Sequence, residues 1–152
     1  MTTPDILEAL RLHPFLQGMS EAHIAVLASG AMRINIAAGK YLGQEREPAE
    51  AFFLIESGRV AIEINTPKRG LMRIQTIERG EIVGWSWLVP PHRWQFDARA
   101  IEPVQALELD GKHLRERCEQ DHHLGSQVMR RLVTVIAARL SATRLQLLDV
   151  YR

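Results

Sequence analysis

The apolar positions of this chain fall into three stretches with different periods. From Asp5 to about Met32 the spacing is helical, with Ile6, Leu7 and Leu10, then Phe15 and Leu16, then Ile24, Val26 and Leu27. Pro14 and Gly18 break this stretch into short helices. Ser20 before Glu21 marks a helix start, because a serine hydroxyl can accept from a free N–H of the first turn. From Arg33 the pattern changes to short runs: RINIA, KYLGQ, AFFLIES, GRVAIEIN, LMRIQTIE, EIVGWSWLV, WQFDARAI and VQALELD. Many alternate apolar and polar, and Gly39, Pro48, Gly58, Thr66-Pro67, Gly70, Gly80, Pro90-Pro91 and Pro103 punctuate them. Such segments predict an antiparallel β-core of about eight strands, a sandwich or a barrel. Ser57-Gly58 predicts a tight hairpin between AFFLIE and RVAIEI, and the alternation in VAIEIN places Val60, Ile62 and Ile64 on one face.

After Asp110 the helical period returns. Gly111 to Asp121 predicts a short helix, and Ser126 to Arg152 runs without glycine or proline, about 40 Å if fully helical. Met129, Val133, Ile136, Leu140, Thr143, Leu147 and Val150 form a heptad seam, and Val128, Leu132, Val135, Ala142 and Leu145 a second stripe. One stripe is enough to pack on the chain's own β-core. Two predict a helix held between that core and a partner helix, so Met129, Val133, Ile136, Leu140 and Leu147 are the expected homodimer contacts. The expected organisation is a single domain over 1–152, with N-terminal helices in 1–32, the β-barrel in 33–110 and C-terminal helices in 111–152.

Composition narrows the function. Nineteen basic against 18 acidic residues give a net charge of +1, so bulk charge supplies no attraction to nucleic acid or membrane. A single cysteine, Cys118, excludes a disulfide framework and a four-cysteine metal site within one chain. No run of 18 apolar residues is present and the N-terminus carries acids, so a soluble, cytoplasmic protein is expected. No histidine pair has helical zinc spacing, and neither a Ser-His-Asp order nor a P-loop is found. Cys118, flanked by Glu116 and Glu119, is a poor nucleophile, so no enzyme and no metal site is expected. The aromatics are uneven: Trp85, Trp87, Trp94 and Phe96 lie within 12 residues and include every tryptophan.

These residues also resemble a known family. Gly39-Lys40-Tyr41-Leu42-Gly43-Gln44-Glu45-Arg46-Glu47-Pro48-Ala49, followed by Ala51-Phe52-Phe53-Leu54-Ile55-Glu56-Ser57-Gly58-Arg59-Val60, resembles the opening strands of a cyclic-nucleotide-binding domain. Gly80-Glu81-Ile82-Val83-Gly84 resembles the approach to that family's phosphate-binding cassette, and Asp97-Ala98-Arg99-Ala100 and Leu107-Glu108-Leu109-Asp110 fit its later strands. The likeness spans about residues 10–150 and points to bacterial regulators of the catabolite-activator and FNR class. It implies a mainly β fold with flanking helices: a double-stranded β-helix (jelly-roll) barrel followed by a long C-terminal dimerisation helix.

In the cassette that the resemblance implies, N–H groups and an arginine hold the cyclic phosphate, and a glutamate after the second glycine accepts from the ribose. The ligand-binding positions implied here are Gly84, Trp85, Ser86, Trp87, Arg93, Trp94, Phe96 and Arg99. Two of them break the pattern. Trp85 stands in the glutamate position, and an indole cannot accept that hydrogen bond. Counting back from Ala100, the arginine slot falls on Trp94, with Arg93 one residue early and so on the opposite face of a strand. Each lost charge-assisted contact is worth about 1.5–3 kcal/mol. Arg46 stands where the family has a turn glycine, which calls for a different turn or a left-handed residue.

The expected function is a stand-alone regulatory ligand-sensing module with altered or lost cyclic AMP or GMP binding. Its effector is a cyclic nucleotide or another small planar or anionic molecule, stacked on indole and held by Arg93 or Arg99. A second reading is a ligand-free interaction or assembly subunit, the tryptophans filling the site themselves and a protein partner carrying the output. A third is the effector-binding half of a DNA-binding regulator. The chain stops at Arg152, where that class continues into a helix-turn-helix, so direct DNA binding is not expected.

Overall fold

The computed structural model describes residues 3–150. Helix α1 (Thr3–Leu12), a 3-10 turn (Pro14–Leu16) and α2 (Glu21–Ala28) precede the strands. These are β1 (Ala31–Ile36), β2 (Tyr41–Gly43), β3 (Ala51–Ser57), β4 (Val60–Thr66), β5 (Gly70–Ile77), β6 (Ile82–Val83), β7 (Asp97–Ala100) and β8 (Val104–Asp110). Helices α3 (Gly111–Gln120) and α4 (His122–Val150) follow. The strands form two antiparallel sheets, in the orders β1-β8-β3-β6 and β2-β7-β4-β5. This is the expected jelly roll, built as two facing sheets rather than one closed, hydrogen-bonded barrel.

Two apolar layers result. Phe53, Ile55, Val60, Ile62, Val83, Ala98, Ala100, Val104 and Ala106 pack between the sheets. Phe52, Leu54, Ile82, Leu107 and Leu109 face outward from the first sheet and are covered by Ile6, Leu10 and Leu16 from the N-terminal segment, with Leu114, Leu124, Val128 and Leu132 from the C-terminal helices. Strand β3 therefore has no polar face, which is why it reads as the unbroken run AFFLI. Ser20 caps α2, its hydroxyl accepting from His23 N at 3.3 Å. Helix α4 begins four residues before the expected Ser126, where the Asp121 carboxylate accepts from His123 N and Leu124 N.

Two local expectations are corrected. Ser57-Gly58 is not a hairpin turn: β3 and β4 lie in different sheets, and the turn carries the chain across the sandwich. Gly58 has φ 87°, and a β-carbon there would lie 2.9 Å from Val104 Cα, so both conformation and space require glycine. The run EIVGWSWLV is a strand only at Ile82–Val83. Beyond Gly84 the chain turns, Leu88 N donating to Trp85 O at 3.1 Å and Val89 N to Ser86 O at 3.3 Å. Trp85 and Trp87 are therefore not alternate positions on one extended face.

Candidate functional site

The segment from Gly80 to Arg99 joins β6 of the first sheet to β7 of the second. Its course is set by backbone pairing. Phe53 opposite Val83 holds β6 against β3. Gly84 then takes φ 98°, a conformation open to glycine. The chain returns beside the β2–β3 connection: Ala49 N donates to His92 O, Trp94 N to Glu47 O and Arg46 N to Trp94 O, all at 2.8–2.9 Å. Arg46 takes the left-handed conformation there, φ 76°, in the place expected of a turn glycine.

That pairing decides which way the two critical side chains point. Arg93 stays exposed, and its Nη1 donates to Arg46 O at 2.8 Å. Trp94 turns into the space between the sheets and is 5% exposed. Its ring meets Phe96 edge-on at 5.8 Å and lies 6.4 Å from Phe53. Gly43 and Gly84 line the slot that receives it. A β-carbon on Gly43 would stand 2.5 Å from Trp94 Cζ2 and nearer still to Cε2 and Cδ2; one on Gly84 would stand 3.1 Å from Cη2. Indole and bare backbone are thus packed face to face.

The other expected ligand residues separate into different surroundings. Trp87 is fully buried on the helix side, stacked on Phe52 at 4.8 Å, and its backbone carbonyl accepts from Arg115 Nη1. It is seated on Gly111, where a β-carbon would fall 2.5 Å from Trp87 Cβ. Ser86 is buried in the turn. Arg99 lies on β7 and forms a two-pronged pair with Glu63 of β4, Nε to Oε1 at 2.9 Å and Nη2 to Oε2 at 3.0 Å. The Arg99 hydrogen bonds hold the Glu63 carboxyl below its ordinary range, and the same pairing raises Arg99. Arg99 is therefore already engaged by a carboxylate.

Trp85 is half-buried, edge-on to Phe96 at 6.1 Å, and the Arg139 guanidinium of α4 lies over its ring at 5.1 Å. A cavity of about 230 Å³ opens beside them, lined by Ile62, Ile74, Phe96 and, from α4, Ile136, Leu140 and Thr143. The sequence pattern left Arg139 and Glu63 among the ordinary charged positions. Arg139 had one signal: it occupies the gap in the second α4 stripe, four residues after Val135 and three before Ala142. Among the described residues no cluster of histidine, cysteine and acids could hold a metal, and no helix is long and apolar enough to cross a membrane.

With this geometry, a family model for the cyclic nucleotide-binding domain matches residues 33–121. The chain belongs to that family. No curated protein matches its sequence. Solved structures do. A Geobacter metallireducens GS-15 protein named for cyclic nucleotide binding is 25% identical, with a TM-score of 0.81 over 92% of this chain and 99% of that one. A cyclic nucleotide-binding domain from Methylobacillus flagellatus KT is 21% identical, TM-score 0.79, over 97% and 83%. The sensor domain of the transcriptional regulator DNR from Pseudomonas aeruginosa shares the fold at 21% identity, TM-score 0.72, over 91% and 93%.

Proposed function

We propose that this chain is a regulatory module of the cyclic nucleotide-binding family that takes neither cyclic AMP nor cyclic GMP, because its cassette is closed from within. The observation that carries this reading is the Trp94 indole, packed between the sheets against Gly43 and Gly84 with Arg93 turned outward. A cyclic phosphate entering there would lose its counter-charge, and it would have to displace a buried indole worth several kcal/mol of packing, about 3–5 kcal/mol for removal of such a side chain. Cys118 is no nucleophile in this reading: its thiol is pushed up to about 11 by burial and by Asp121 and Glu119.

The output element in this reading is α4. Met129, Val133, Ile136, Leu140, Leu147 and Val150 are all exposed on it, an apolar area that a second copy would cover along the heptad seam. Two measurements test the reading. Calorimetric titration with cyclic AMP and cyclic GMP is expected to show no saturable heat up to millimolar nucleotide; saturation in the micromolar range would overturn the closed cassette. Light scattering is expected to show a dimer that Leu140→Glu converts to monomer, and a monomeric parent chain would remove the dimer.

A further inference from the structure

On the far side of β6 from the indole plug, the 3-10 turn Pro14–Leu16 and the middle of α4 enclose a cleft of about 440 Å³. The volume is in the range of small-molecule sites. Pro14, Phe15, Ile82, Val135 and Ala138 give it apolar walls. Three arginines, Arg130, Arg131 and Arg139, also line it, against one acid, Glu81.

Arg139 is the unusual member. It is 8% exposed, yet no carboxylate pairs with it among the described residues. One Nη donates to Ile82 O, the guanidinium face rests on Trp85, and its Nε–H meets no acceptor. Burial without a partner anion lowers its pKa to about 10, with Glu81 opposing the shift. Glu81 is near enough to oppose that shift but forms no ion pair with Arg139; its Oε1 accepts from Glu78 N at 3.0 Å. Arg131 spends its donors on Gln127 and on Gln17 O, so its charge is also without a carboxylate. A buried guanidinium with an unused donor is costly to keep, and an anion is what it lacks.

We propose that this cleft binds a small organic acid, a carboxylate on an apolar body. The carboxylate is drawn to Arg139 at the back with Arg130 and Arg131 beside it, and the body lies against Phe15, Ile82 and Val135. The cleft lies across β6 from the Trp94 slot and does not depend on that slot being closed. It differs from a phosphate site in its lining, since a bare inorganic anion would leave the apolar walls uncovered.

The test uses decanoate, the uncharged alcohol of the same chain length, decanol, and inorganic phosphate, each titrated calorimetrically into the full chain. Decanoate is expected to bind with one site per chain, and decanol and phosphate each at least tenfold more weakly. Arg139→Met is expected to weaken decanoate at least tenfold and to leave decanol unchanged. Because Arg139 is buried and its replacement can disturb folding, Ala138→Asp serves as the second variant. Ala138 is exposed at the cleft, so an acid there repels the carboxylate without touching the core. It is expected to weaken decanoate tenfold or more while the melting curve stays that of the parent. Equal binding of decanoate and decanol, or decanoate binding unchanged in Ala138→Asp, would overturn the site. Phosphate binding as tightly as decanoate would overturn the organic body.

Discussion

Gly43→Ala isolates the packing of the indole plug. Gly43 lies in β2 outside the left-handed region, so its backbone conformation does not bar alanine. At such positions replacing glycine usually stabilises by about 0.4–1 kcal/mol, through the unfolded chain. Space reverses the sign. The added methyl would stand 2.5 Å from Trp94 Cζ2 and closer to the two fused-ring carbons, whereas carbons pack at about 3.5–4.0 Å. Indole or strand must move by more than an ångström in a slot also closed by Phe53, Phe96 and Gly84. Overpacking of this kind costs about 1–3 kcal/mol. For a chain of this length that lowers Tm by about 2–12 °C. The assay is urea unfolding followed by circular dichroism, since Trp94 itself would bias a fluorescence readout. The decisive comparison is the double variant. In a Trp94→Leu background the fused ring is gone, and Gly43→Ala is expected to be neutral or stabilising, a coupling of about 1–3 kcal/mol. Equal effects of Gly43→Ala in both backgrounds would refute the claim that Trp94 fills the space over Gly43, and with it the reason for excluding nucleotide.

Three other outcomes are expected. Trp94→Ala should cost about 3–5 kcal/mol and leave an enclosed apolar hole; millimolar indole should then raise its Tm and not that of the parent, and the absence of such rescue would show that the slot collapses. Arg99→Leu should destabilise more than Glu63→Gln, by about 2 kcal/mol, because it strands the 4%-exposed Glu63 carboxylate, whereas the reverse change leaves an arginine whose side chain is 27% exposed and within reach of water. Since the Glu63 pKa is lowered by Arg99, the pair's contribution is present above the carboxyl's ordinary 4.5 and lost as pH falls through the lowered value, and Arg99→Leu should flatten that acid limb in pH-dependent urea unfolding. His13 is buried, its Nδ1 accepting from Phe15 N and its Nε2 bonding Ile55 O, and burial lowers its pKa below the ordinary 6.5. Its neutral form therefore stabilises the fold fully above 6.5 and loses that contribution as pH falls below it; His13→Gln should remove this part of the pH slope, and an unchanged slope would assign it elsewhere.

Much of the architecture was legible because alternation and turn residues are local signals. The unbroken AFFLI run, the cap at Ser20 and the return of helical spacing after Asp110 all correspond to elements in place. What was not legible depends on partners distant in sequence. Ser57-Gly58 announces a reversal, but nothing local says that the next strand joins the other sheet; that follows from the close approach of Gly58 to Val104. The run EIVGWSWLV reads as a strand throughout, but the i to i+3 hydrogen bonds after Gly84 end it and send Trp87 to the helix side. Which way Arg93 and Trp94 point is set by pairing with residues 46–49, which lie far away in sequence. The buried charges escaped, since Glu63 and Arg139 look like surface residues until their neighbours are known.

Arg139 also bears on how a signal would leave this module. Helix α4 is anchored through Leu124, Val128 and Leu132, and beyond Leu132 Arg139 is the one buried position among its described residues. The distal half of the helix thus touches the body of the protein chiefly through a guanidinium held by Ile82 O and the Trp85 ring, both beside the cassette. Such an attachment is polar and directional, so it is sensitive to a competing partner in a way that a leucine contact is not. An organic acid that drew Arg139 toward the cleft would weaken its hold on Trp85 and change the lie of the α4 face carrying Ile136 and Leu140. By that route decanoate should alter both Trp85 fluorescence and the dissociation constant of the proposed dimer, and Trp85→Phe should keep decanoate binding while losing part of its effect on dimerisation. Decanoate that binds without shifting the dimer equilibrium would separate the cleft from the helix and leave it a binding site without output.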